Sequence, residues 1–540
     1  MKTERKIAGM ALSVWMALSL AACSGENPDS LVRTDDGVTL EEGEVALEKS
    51  TGGNPIVGNS LSMPEITYGG DPSILVDGDT VYLYVGHDES TDEEVEKKIY
   101  NMKEYLCFST KDLKTWKSEG TVFKVSTDSV KWAQNSSSSW ASQVAKHRDE
   151  KSGKDKYYLY FCSWDKTSSG KQSIGVAVSD GPVGPFEDIG EPLVRGTLTE
   201  PQSSNWDDID PTIWIETDES GEEHRYLGWG NSRNYICELN EDMISVKDLN
   251  GDGKITYGTS PEKGDVLLRE VSNYTEAPWF FRRQDENGKY YGSYYLFYAS
   301  GWHEKMAYST TDNLLTGEYT FGNTLMPPTA TSNTNHMAVF DFKGKTYFVY
   351  HNGSLPGGNG YRRSACITEL HFKEDGSIES IPETASGLNG TVAVIDTDDD
   401  ETLSHMNFVN ASGDGPYPYS KIKVGINLSS KEEDAGWVVT AGKADETKDS
   451  YVSIQSENKP GLYLTANEDD TVTLAQDADA SDETARKQTF RTVEGLGDAD
   501  GISFESVSEP GMYLAVKEGT LCLTSGEDKK QATFFVNRKS

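Results

Sequence analysis

The sequence predicts an all-β protein, a five-bladed β-propeller followed by a smaller β-trefoil-like domain. Three observations favour this fold class. Strands rich in Tyr, Val, Ile and Phe recur between Gly, Asp and Asn turns, helical periodicity is almost absent, and two internal repeats of different length divide the chain. A chain of 540 residues is also too long for one ordinary domain, so we expect at least two.

The first 22 residues have the features of an export signal. A cationic start precedes an apolar run over residues 7–22, which is short for a membrane span and ends in the small-residue pattern "LAAC". This ending resembles the bacterial lipobox, in which the cysteine, here Cys23, becomes a lipidated N-terminus. The alternative is an ordinary secretory signal with an incidental cysteine. We therefore predict a signal peptide over 1–22 and an exported protein, lipid-anchored at the bacterial cell envelope and facing outside the cytoplasm.

Residues 23–60 are polar and acidic and have little apolar periodicity, which predicts a flexible tether. The whole chain carries a formal net charge of -38, which repels phosphate backbones and argues against nucleic acid as a partner. Membrane contact is then expected through the lipid anchor alone. Five cysteines beyond Cys23 lack tight spacing, so buried thiols are expected rather than a disulfide framework or a zinc site.

Five related units organise residues 61–395. Each joins an opening residue, an apolar run, a turn and an aromatic-rich strand; the opening residues are Asp71, Trp140, Asp210, Glu276 and His336. The intervals between them are 69, 70, 66 and 60 residues. Units of this length match propeller blades, whose innermost strands converge on a central channel. The alternative is a β-sandwich with accidental internal similarity.

Three of the opening residues are acids. Asp71, Asp210 and Glu276 each stand at the start of an innermost strand, and any one of them alone would be a turn or cap residue. At corresponding places in a radial repeat they are aimed at one point on the axis. The repeat therefore predicts a cluster of carboxylates there.

The segments around these acids resemble glycoside hydrolase family 43. The matching pieces are "GGDPSI", "DIDPTIW", "TEAPWF", "TNHMAV" and "YHNGSLPGGNGYRRSAC", which fall in order between about Asn54 and Leu388. Fructan-cleaving propellers have "RDP" and "ECP" where this chain has "IDP" and "EAP". The resemblance implies an inverting glycosidase, in which one carboxylic acid protonates the leaving oxygen and one carboxylate activates water.

Roles for individual residues follow from the resemblance. Asp71 corresponds to the general base, Glu276 to the general acid, and Asp210 to a third carboxylate that orients the acid and raises its pKa. The substrate-binding candidates are Trp140, Asn231, Arg362 and, more weakly, His87 with Asp88. His336 is expected on the propeller axis, where the family often places a histidine beside a calcium ion or a water molecule.

A second calcium candidate lies between blades. In "DLNGDGKITYGT", Asp248, Asn250 and Asp252 occupy the first ligand positions of an EF-hand loop, but Thr259 stands where a glutamate is expected. The alternatives are a calcium-stabilised loop and a plain Asx-rich turn. No cofactor is required for the chemistry, and a structural calcium ion remains an open expectation.

Residues 405–540 contain the second repeat. "SIQSENKPGLYL" at 453–464 recurs as "SFESVSEPGMYL" at 503–514, and a third unit would have to lie near 407–448. This pattern resembles carbohydrate-binding module family 42, in which a His-containing stretch follows "YL" and helps hold arabinose. That stretch is missing here, so sugar binding and a purely structural role stay open.

The resemblance implies an exo-acting α-L-arabinofuranosidase with plant cell-wall oligosaccharides or polysaccharides, such as arabinoxylan or arabinan fragments, as substrates. The alternative within enzymes is a β-xylosidase, because the family performs both reactions. An alternative of another class is a non-catalytic sugar-binding surface lipoprotein, and intact Asp71, Asp210 and Glu276 argue against it.

Overall fold

A computed structural model describes residues 29–33, 37–57, 67–149, 151–406, 420–477 and 479–539. The predicted signal peptide and Cys23 lie outside the described residues. Within these ranges, every helix is too short or too polar to cross a membrane.

Two short strands, β1 (Val32–Arg33) and β2 (Ala46–Leu47), pair with each other near the N-terminus. The sequence predicts a flexible tether over 23–60, but the described part of this segment is packed. The backbone of Leu31 bonds to the last strand of the C-terminal domain, with its N–H 3.0 Å from the Val536 oxygen. Farther along, the Ile56 N–H donates to the Ala365 oxygen of the propeller at 2.8 Å.

Apolar side chains explain why this segment packs. Leu31 and Leu47 lie in the core of the C-terminal domain, and Ile56 and Val57 lie in the core of the propeller. These four side chains are too scattered to form an apolar period of their own. Each buries apolar surface in a core built by the rest of the chain, and this burial stabilises the packed segment.

Five mostly antiparallel sheets follow one another between residues 69 and 369 and confirm the predicted propeller. Blade I has strands β3 (Gly69–Asp77), β4 (Thr80–Asp88), β5 (Met102–Thr110) and β6 (Lys117–Lys124). Blade II has β7 (Ser142–Asp149), β8 (Lys154–Asp165), β9 (Lys171–Ser179) and β10 (Glu187–Asp188). Blade III has β11 (Thr212–Thr217), β12 (Glu223–Trp229), β13 (Asn234–Glu238), β14 (Tyr257–Gly258) and β15 (Val266–Arg269). Blade IV has β16 (Tyr274–Gln284), β17 (Tyr290–Ser300), β18 (Lys305–Thr311) and β19 (Thr320–Met326). Blade V has β20 (Ala338–Phe342), β21 (Lys345–Asn352) and β22 (Ser364–Glu369).

The first strand of each blade lies innermost. Strands β3, β7, β11, β16 and β20 contact one another in chain order, and β20 returns to contact β3. Large aromatic side chains fill the space between neighbouring blades; for example, Tyr84, Tyr105 and Phe161 are buried between blades I and II. This closed ring brings the starts of five inner strands to one place on the axis.

The C-terminal domain is one sheet of twelve strands, ten of which close into a barrel. These are β23 (Ala393–Thr397), β24 (Leu403–His405), β25 (Ser420–Ile426), β26 (Trp437–Ala441), β27 (Tyr451–Ser456), β28 (Leu462–Ala466), β29 (Val472–Gln476), β30 (Phe490–Glu494), β31 (Ile502–Ser506), β32 (Tyr513–Lys517), β33 (Thr520–Thr524) and β34 (Phe534–Arg538). Ten of them pair in the order β25-β29-β28-β27-β26-β23-β34-β31-β32-β33, and β33 pairs again with β25. Three short helices complete the described structure: α1 (Asp92–Glu96), the 3₁₀ turn Glu432–Ala435 and α2 (Asp482–Lys487).

The two sequence repeats of this domain have the same register. Gln455 on β27 faces Tyr463 on β28, and Glu505 on β31 faces Tyr513 on β32. The third unit was expected near 407–448, of which residues 407–419 lie outside the described ranges. The predicted all-β class of this domain is confirmed, but its sheet closes into a barrel and the trefoil description is only approximate.

The barrel holds a propeller loop at residues 353–360. The Gln476 side-chain amide donates to the carbonyl oxygens of Gly353 at 2.9 Å and Gly358 at 2.8 Å. The Gly357 N–H donates to the Asp477 carbonyl oxygen at 2.8 Å. These bonds attach the barrel to the stretch of blade V that leads directly into the site described next.

Candidate active site

A cavity of about 390 Å³ opens where the inner strands begin. Residues from all parts of the propeller ring line it: Asp71, Tyr100, Met102, Trp140, Trp206, Ile209, Asp210, Asn231, Thr275, Glu276, Trp302, Glu304, Thr334, Tyr361 and Arg363. Five of the predicted site residues are in this set, namely Asp71, Trp140, Asp210, Asn231 and Glu276. The volume is that of a pocket for a small molecule such as a sugar ring with part of its neighbour.

A left-handed residue followed by proline starts three of the inner strands. Asp71 has φ 54°, Asp210 has φ 59° and Ala277 has φ 58°, and prolines 72, 211 and 278 come next. Proline cannot donate to the ladder, and the register shifts at this point in β3 and β16. The bulge turns the side chain out of the sheet. In blade IV the residue that corresponds to Asp71 and Asp210 is Ala277, and Glu276 stands one position before it.

The Asp71 carboxylate is held by a buried cation. Arg363 donates from Nη1 to Oδ1 at 2.7 Å and from Nη2 to Oδ2 at 3.2 Å. Burial alone would raise the pKa of Asp71, but the charge and hydrogen bonds of Arg363 outweigh it and hold the pKa below its usual value. Asp71 is therefore ionised at neutral pH, as a base must be.

Arg363 is itself fixed by a second carboxylate and an aromatic ring. Its Nε donates to Oδ2 of Asp88 at 2.8 Å, and its guanidinium lies 4.9 Å from the centre of the Tyr100 ring. The guanidinium also explains the second glycine of "GGDP", because a β-carbon on Gly70 would lie 2.3 Å from it. This arrangement leaves Arg363 no freedom to move away from Asp71.

The sequence predicts Arg362 as a substrate-binding residue, but the arginine that lines the cavity is its neighbour, Arg363. Arg362 lies outside the cavity, where its side chain donates to the Ser90 carbonyl oxygen at 2.7 Å and to the exposed Asp92 at 2.6 Å. Adjacent residues entering a strand point to opposite sides. Arg362 and Arg363 directly precede β22, which begins at Ser364. Which of them faces the cavity therefore depends on the register of that strand.

Glu276 and Asp210 form the other half of the site. The Asn231 side-chain amide donates to Oε2 of Glu276, and the N–H of Ala277, the next residue, donates to Oδ2 of Asp210 at 3.0 Å. Burial and the negative charge of Asp71 raise the pKa of Glu276. Burial and the charge of Glu276 raise the pKa of Asp210 well above its usual value. The cavity therefore holds one ionised carboxylate and a group of carboxyls that retain protons more strongly.

Glu304 is a fourth carboxyl group in the cavity, which the sequence analysis missed. It lies between β17 and β18, has 1% of its surface exposed and is hydrogen-bonded to Glu276. Its segment, "GWHEK", opens no blade and belongs to no repeat, so periodicity offered no signal for it. Only a prediction of which loops reach the axis could have found it.

Three tryptophans line the cavity at different depths. Trp140 is half-buried and meets Trp164 edge-on, with ring centres 6.1 Å apart. Trp206 and Trp302 are 47% and 61% exposed, unusually high for indole side chains. Flat apolar rings at a pocket mouth suit the C–H faces of sugars.

The two predicted histidines lie outside the cavity lining. His87 bonds through Nδ1 to Glu104 at 3.1 Å, at the edge of blade I. His336 lies buried behind Asp71, with its Nδ1 4.0 Å from Oδ1, and burial lowers its pKa to about 4. A further neutral histidine, His351, has its pKa lowered to about 3 by burial and the charge of Arg363, and accepts the Asp71 N–H at Nδ1.

Calcium, which prefers six to eight oxygen ligands, was predicted at two positions. Among the described residues, no group of three or more His, Cys, Asp or Glu side chains is arranged to hold a metal. Near His336, the oxygens of Asp71 are already bound by Arg363. The loop predicted to lie between blades belongs instead to blade III, in the connection from β13 to β14. There the Asp248 carboxylate accepts the N–H groups of Gly251 at 2.7 Å and Gly253 at 2.8 Å, as in an Asx-rich turn. Calcium at either position stays a prediction.

Each of the two domains matches the model of a known family. The model of the family described as glycosyl hydrolases family 43 matches residues 66–378, more than half of the chain. The model described as alpha-L-arabinofuranosidase B (ABFB) domain matches residues 418–537.

Several curated proteins are similar to the propeller region. An arabinoxylan arabinofuranohydrolase of Paenibacillus polymyxa is 29% identical over 62% of this chain and 53% of its own length. A beta-D-galactofuranosidase of Aspergillus niger is 31% identical over 53% of this chain and 76% of its own. A xylosidase/arabinosidase of Bacteroides ovatus is 28% identical over 58% of this chain and 95% of its own. The chain thus spans about half the length of the first of these relatives.

Proposed function

The chain belongs to glycosyl hydrolases family 43, and within this glycoside hydrolase family we propose that it removes α-L-arabinofuranosyl residues from arabinoxylan- or arabinan-type fragments by an inverting, exo-acting mechanism. The observation that carries the proposal is the opposite electrostatic environment of two carboxyl groups in one cavity. Asp71 faces a buried cation, whereas Glu276 faces an amide and other carboxyls.

The two environments suit the two halves of glycoside hydrolysis. Asp71, ionised beside Arg363, would take a proton from water as the water attacks the anomeric carbon. Glu276, whose pKa is raised, would give its proton to the departing oxygen. Asp210, bonded to the residue after Glu276, would hold the acid in place and resist its ionisation.

The pocket walls suit a sugar. Trp140 would cover one face of the ring inside the cavity. Trp206 and Trp302, exposed at the cavity mouth, would contact the part of the substrate beyond the bond that is cleaved. A cavity of about 390 Å³ has room for little more than one sugar ring, which suits removal of terminal or side-chain residues.

The names of the relatives support the choice of sugar. Two of the three described above act by name on furanosides, one of them on arabinoxylan, and the C-terminal region matches an arabinofuranosidase B domain. The second candidate is a β-xylosidase, because the Bacteroides relative is named for both activities. Under either candidate the carboxyl groups have the same roles.

The test is an assay of the protein on nitrophenyl α-L-arabinofuranoside and nitrophenyl β-xyloside, with Glu276→Gln beside the wild type. We expect faster release from the arabinofuranoside, and a loss of about 10²–10⁴-fold in Glu276→Gln on oligosaccharide substrates. The matched control is Glu286→Gln, an exposed glutamate on the same blade, which should leave the rate unchanged.

Proton NMR of the first released sugar reports the stereochemistry. The β anomer from an α substrate supports inversion, and the α anomer would exclude it. Release from the xyloside alone would select the second candidate. No release from either glycoside or from arabinoxylan would favour the sugar-binding lipoprotein. Unchanged activity of Glu276→Gln on arabinoxylan oligosaccharides would remove Glu276 from the mechanism.

A further inference from the structure

The cavity contains more acid than a two-carboxylate mechanism requires. Asp71, Asp210, Glu276 and Glu304 all line it, and Arg363 is the single cationic side chain among the lining residues. Arg363 is already bound to Asp71 and Asp88. Glu304 therefore has no cation of its own in the cavity.

The contacts of Glu304 are those of an acid that keeps its proton. One of its oxygens, Oε2, accepts the N–H of Asn335 at 2.7 Å. The carboxyl group is also hydrogen-bonded to that of Glu276. Two carboxylates cannot bond to each other without a proton between them, so one of the pair must supply it.

We propose that Glu304 is a permanently protonated positioning residue, which accepts the Asn335 N–H on its carbonyl oxygen and donates its hydroxyl hydrogen to Glu276. The proposal rests on the acid role of Glu276 in the proposed function. It assigns Glu304 no contact with the substrate.

The charged groups around Glu304 favour the neutral form. The groups that face it are Glu276 and, farther away, Asp210, both of them acidic. Burial and the charge of Glu276 raise the pKa of Glu304 well above its usual value. Arg363 also lowers the pKa of Glu276 and of Asp210, but burial and the neighbouring carboxylates outweigh it there.

The consequence appears during bond cleavage. Glu276 gives its proton to the glycosidic oxygen as the bond from that oxygen to the anomeric carbon breaks, and water adds to the carbon while its proton passes to Asp71. Glu276 is then a buried carboxylate. A hydroxyl donor from Glu304 becomes a charge-assisted bond at that moment, so it stabilises the product of proton transfer more than the starting acid. Glu304 keeps its own proton throughout.

The test compares Glu304→Gln with Glu304→Ala in the full chain. Glutamine retains a neutral donor, so we expect the glutamine variant to keep kcat within roughly threefold and to keep the alkaline limb of the pH profile. Alanine removes the donor, and we expect kcat to fall about 10- to 100-fold on an unactivated oligosaccharide, the factor for a hydrogen bond to a charged group. The loss should be smaller on a nitrophenyl glycoside, whose leaving group needs less acid assistance.

An ionised Glu304 would give a different result. Its charge would raise the pKa of Glu276, so Glu304→Gln would move the alkaline limb to lower pH, and that shift would overturn the proposal. Equal losses for the alanine variant on both kinds of substrate would also overturn it, because they would indicate a structural role alone.

A measurement without substrate separates this proposal from the proposed function. The infrared difference spectrum between wild type and Glu304→Gln at neutral pH should contain the C=O band of a protonated carboxyl group. Its replacement by a carboxylate band would refute the protonated state whatever the enzyme hydrolyses. Conversely, the protonated band would survive even if the preferred glycoside were a xyloside.

Discussion

In the propeller, side chains from the starts of different repeats meet in one cavity, whereas in the C-terminal barrel the corresponding polar residues of the two clear repeats each bind their own turn. Asp71 and Asp210, from blades I and III, share a pocket with Glu276. In the barrel, Gln455 accepts the N–H of Gly461 at 3.2 Å and Glu505 accepts that of Gly511 at 2.7 Å.

The difference lies in where the repeat directs its polar groups. A radial repeat aims the side chains at the starts of its inner strands toward the axis, where they lack local partners and must satisfy one another. In the barrel repeat, the polar side chain binds a turn of the same repeat and does not reach a site shared with other repeats. Repetition concentrates chemistry only when the repeated position faces the shared axis.

The largest effect is expected from removing Arg363, the cation that Asp71 and Asp88 share. Arg363→Met leaves Asp71 and Asp88 buried without their partner, and we expect a loss of about 3–5 kcal/mol in the free energy of unfolding together with most of the activity. The pKa of Asp71 lies below normal because of Arg363, so its stabilising effect is present above the unfolded pKa and is lost as pH falls through the folded one. In the variant, the acid limb of kcat/KM should therefore move to higher pH.

The neighbouring arginine is the matched control. Arg362→Met removes a cation that pairs with the exposed Asp92, and such surface pairs contribute about 1 kcal/mol or less. Denaturant unfolding and pH–rate profiles of both variants decide which arginine serves the site. A larger effect at position 362 would contradict the structure.

A smaller effect is expected where the two domains meet. Gln476→Ala removes both hydrogen bonds to the loop at 353–360, which precedes Tyr361 and Arg363. We expect a loss of about 1–2 kcal/mol in stability and a rise in KM, because Tyr361 lines the cavity. The KM should recover in Gln476→Asn only if the shorter amide still reaches one carbonyl. Unchanged stability and KM would show that the barrel merely adjoins the propeller.

The smallest effect belongs to the barrel repeat itself. Glu505→Ala removes the bond to the Gly511 N–H and the pairing with Arg491 at 2.7 Å, at an expected cost of about 1 kcal/mol. We expect kcat and KM to stay at wild-type values, because the residue serves its own turn. Thermal unfolding and kinetics check this, and a loss of activity without a loss of stability would give the barrel repeat a direct part in catalysis.

The propeller and three of the cavity acids could be predicted because they repeat. Spacings of 60 to 70 residues locate the blades, and the repeated strand starts locate Asp71 and Asp210, with Glu276 displaced by one position. Glu304 could not be predicted, since it reaches the axis from a loop that has no counterpart in the other blades. Arg363 could be placed only to within one residue, because its direction depends on strand register.

The N-terminal segment was predicted as a tether for a related reason. Low apolar density suggests disorder when a segment is judged alone. Leu31 and Leu47 are ordered because the barrel provides a core for them, and Ile56 and Val57 because the propeller does. Such burial is a tertiary property that local composition does not contain.

This packing limits the distance between the barrel and Cys23, the predicted site of lipidation. The first described residue is Asp29, and the backbone of Arg538 already bonds to it at 2.6 Å. Six residues in a fully extended chain reach at most about 20 Å. If Cys23 is lipidated as predicted, the barrel would lie closer to the lipid attachment point than the propeller does.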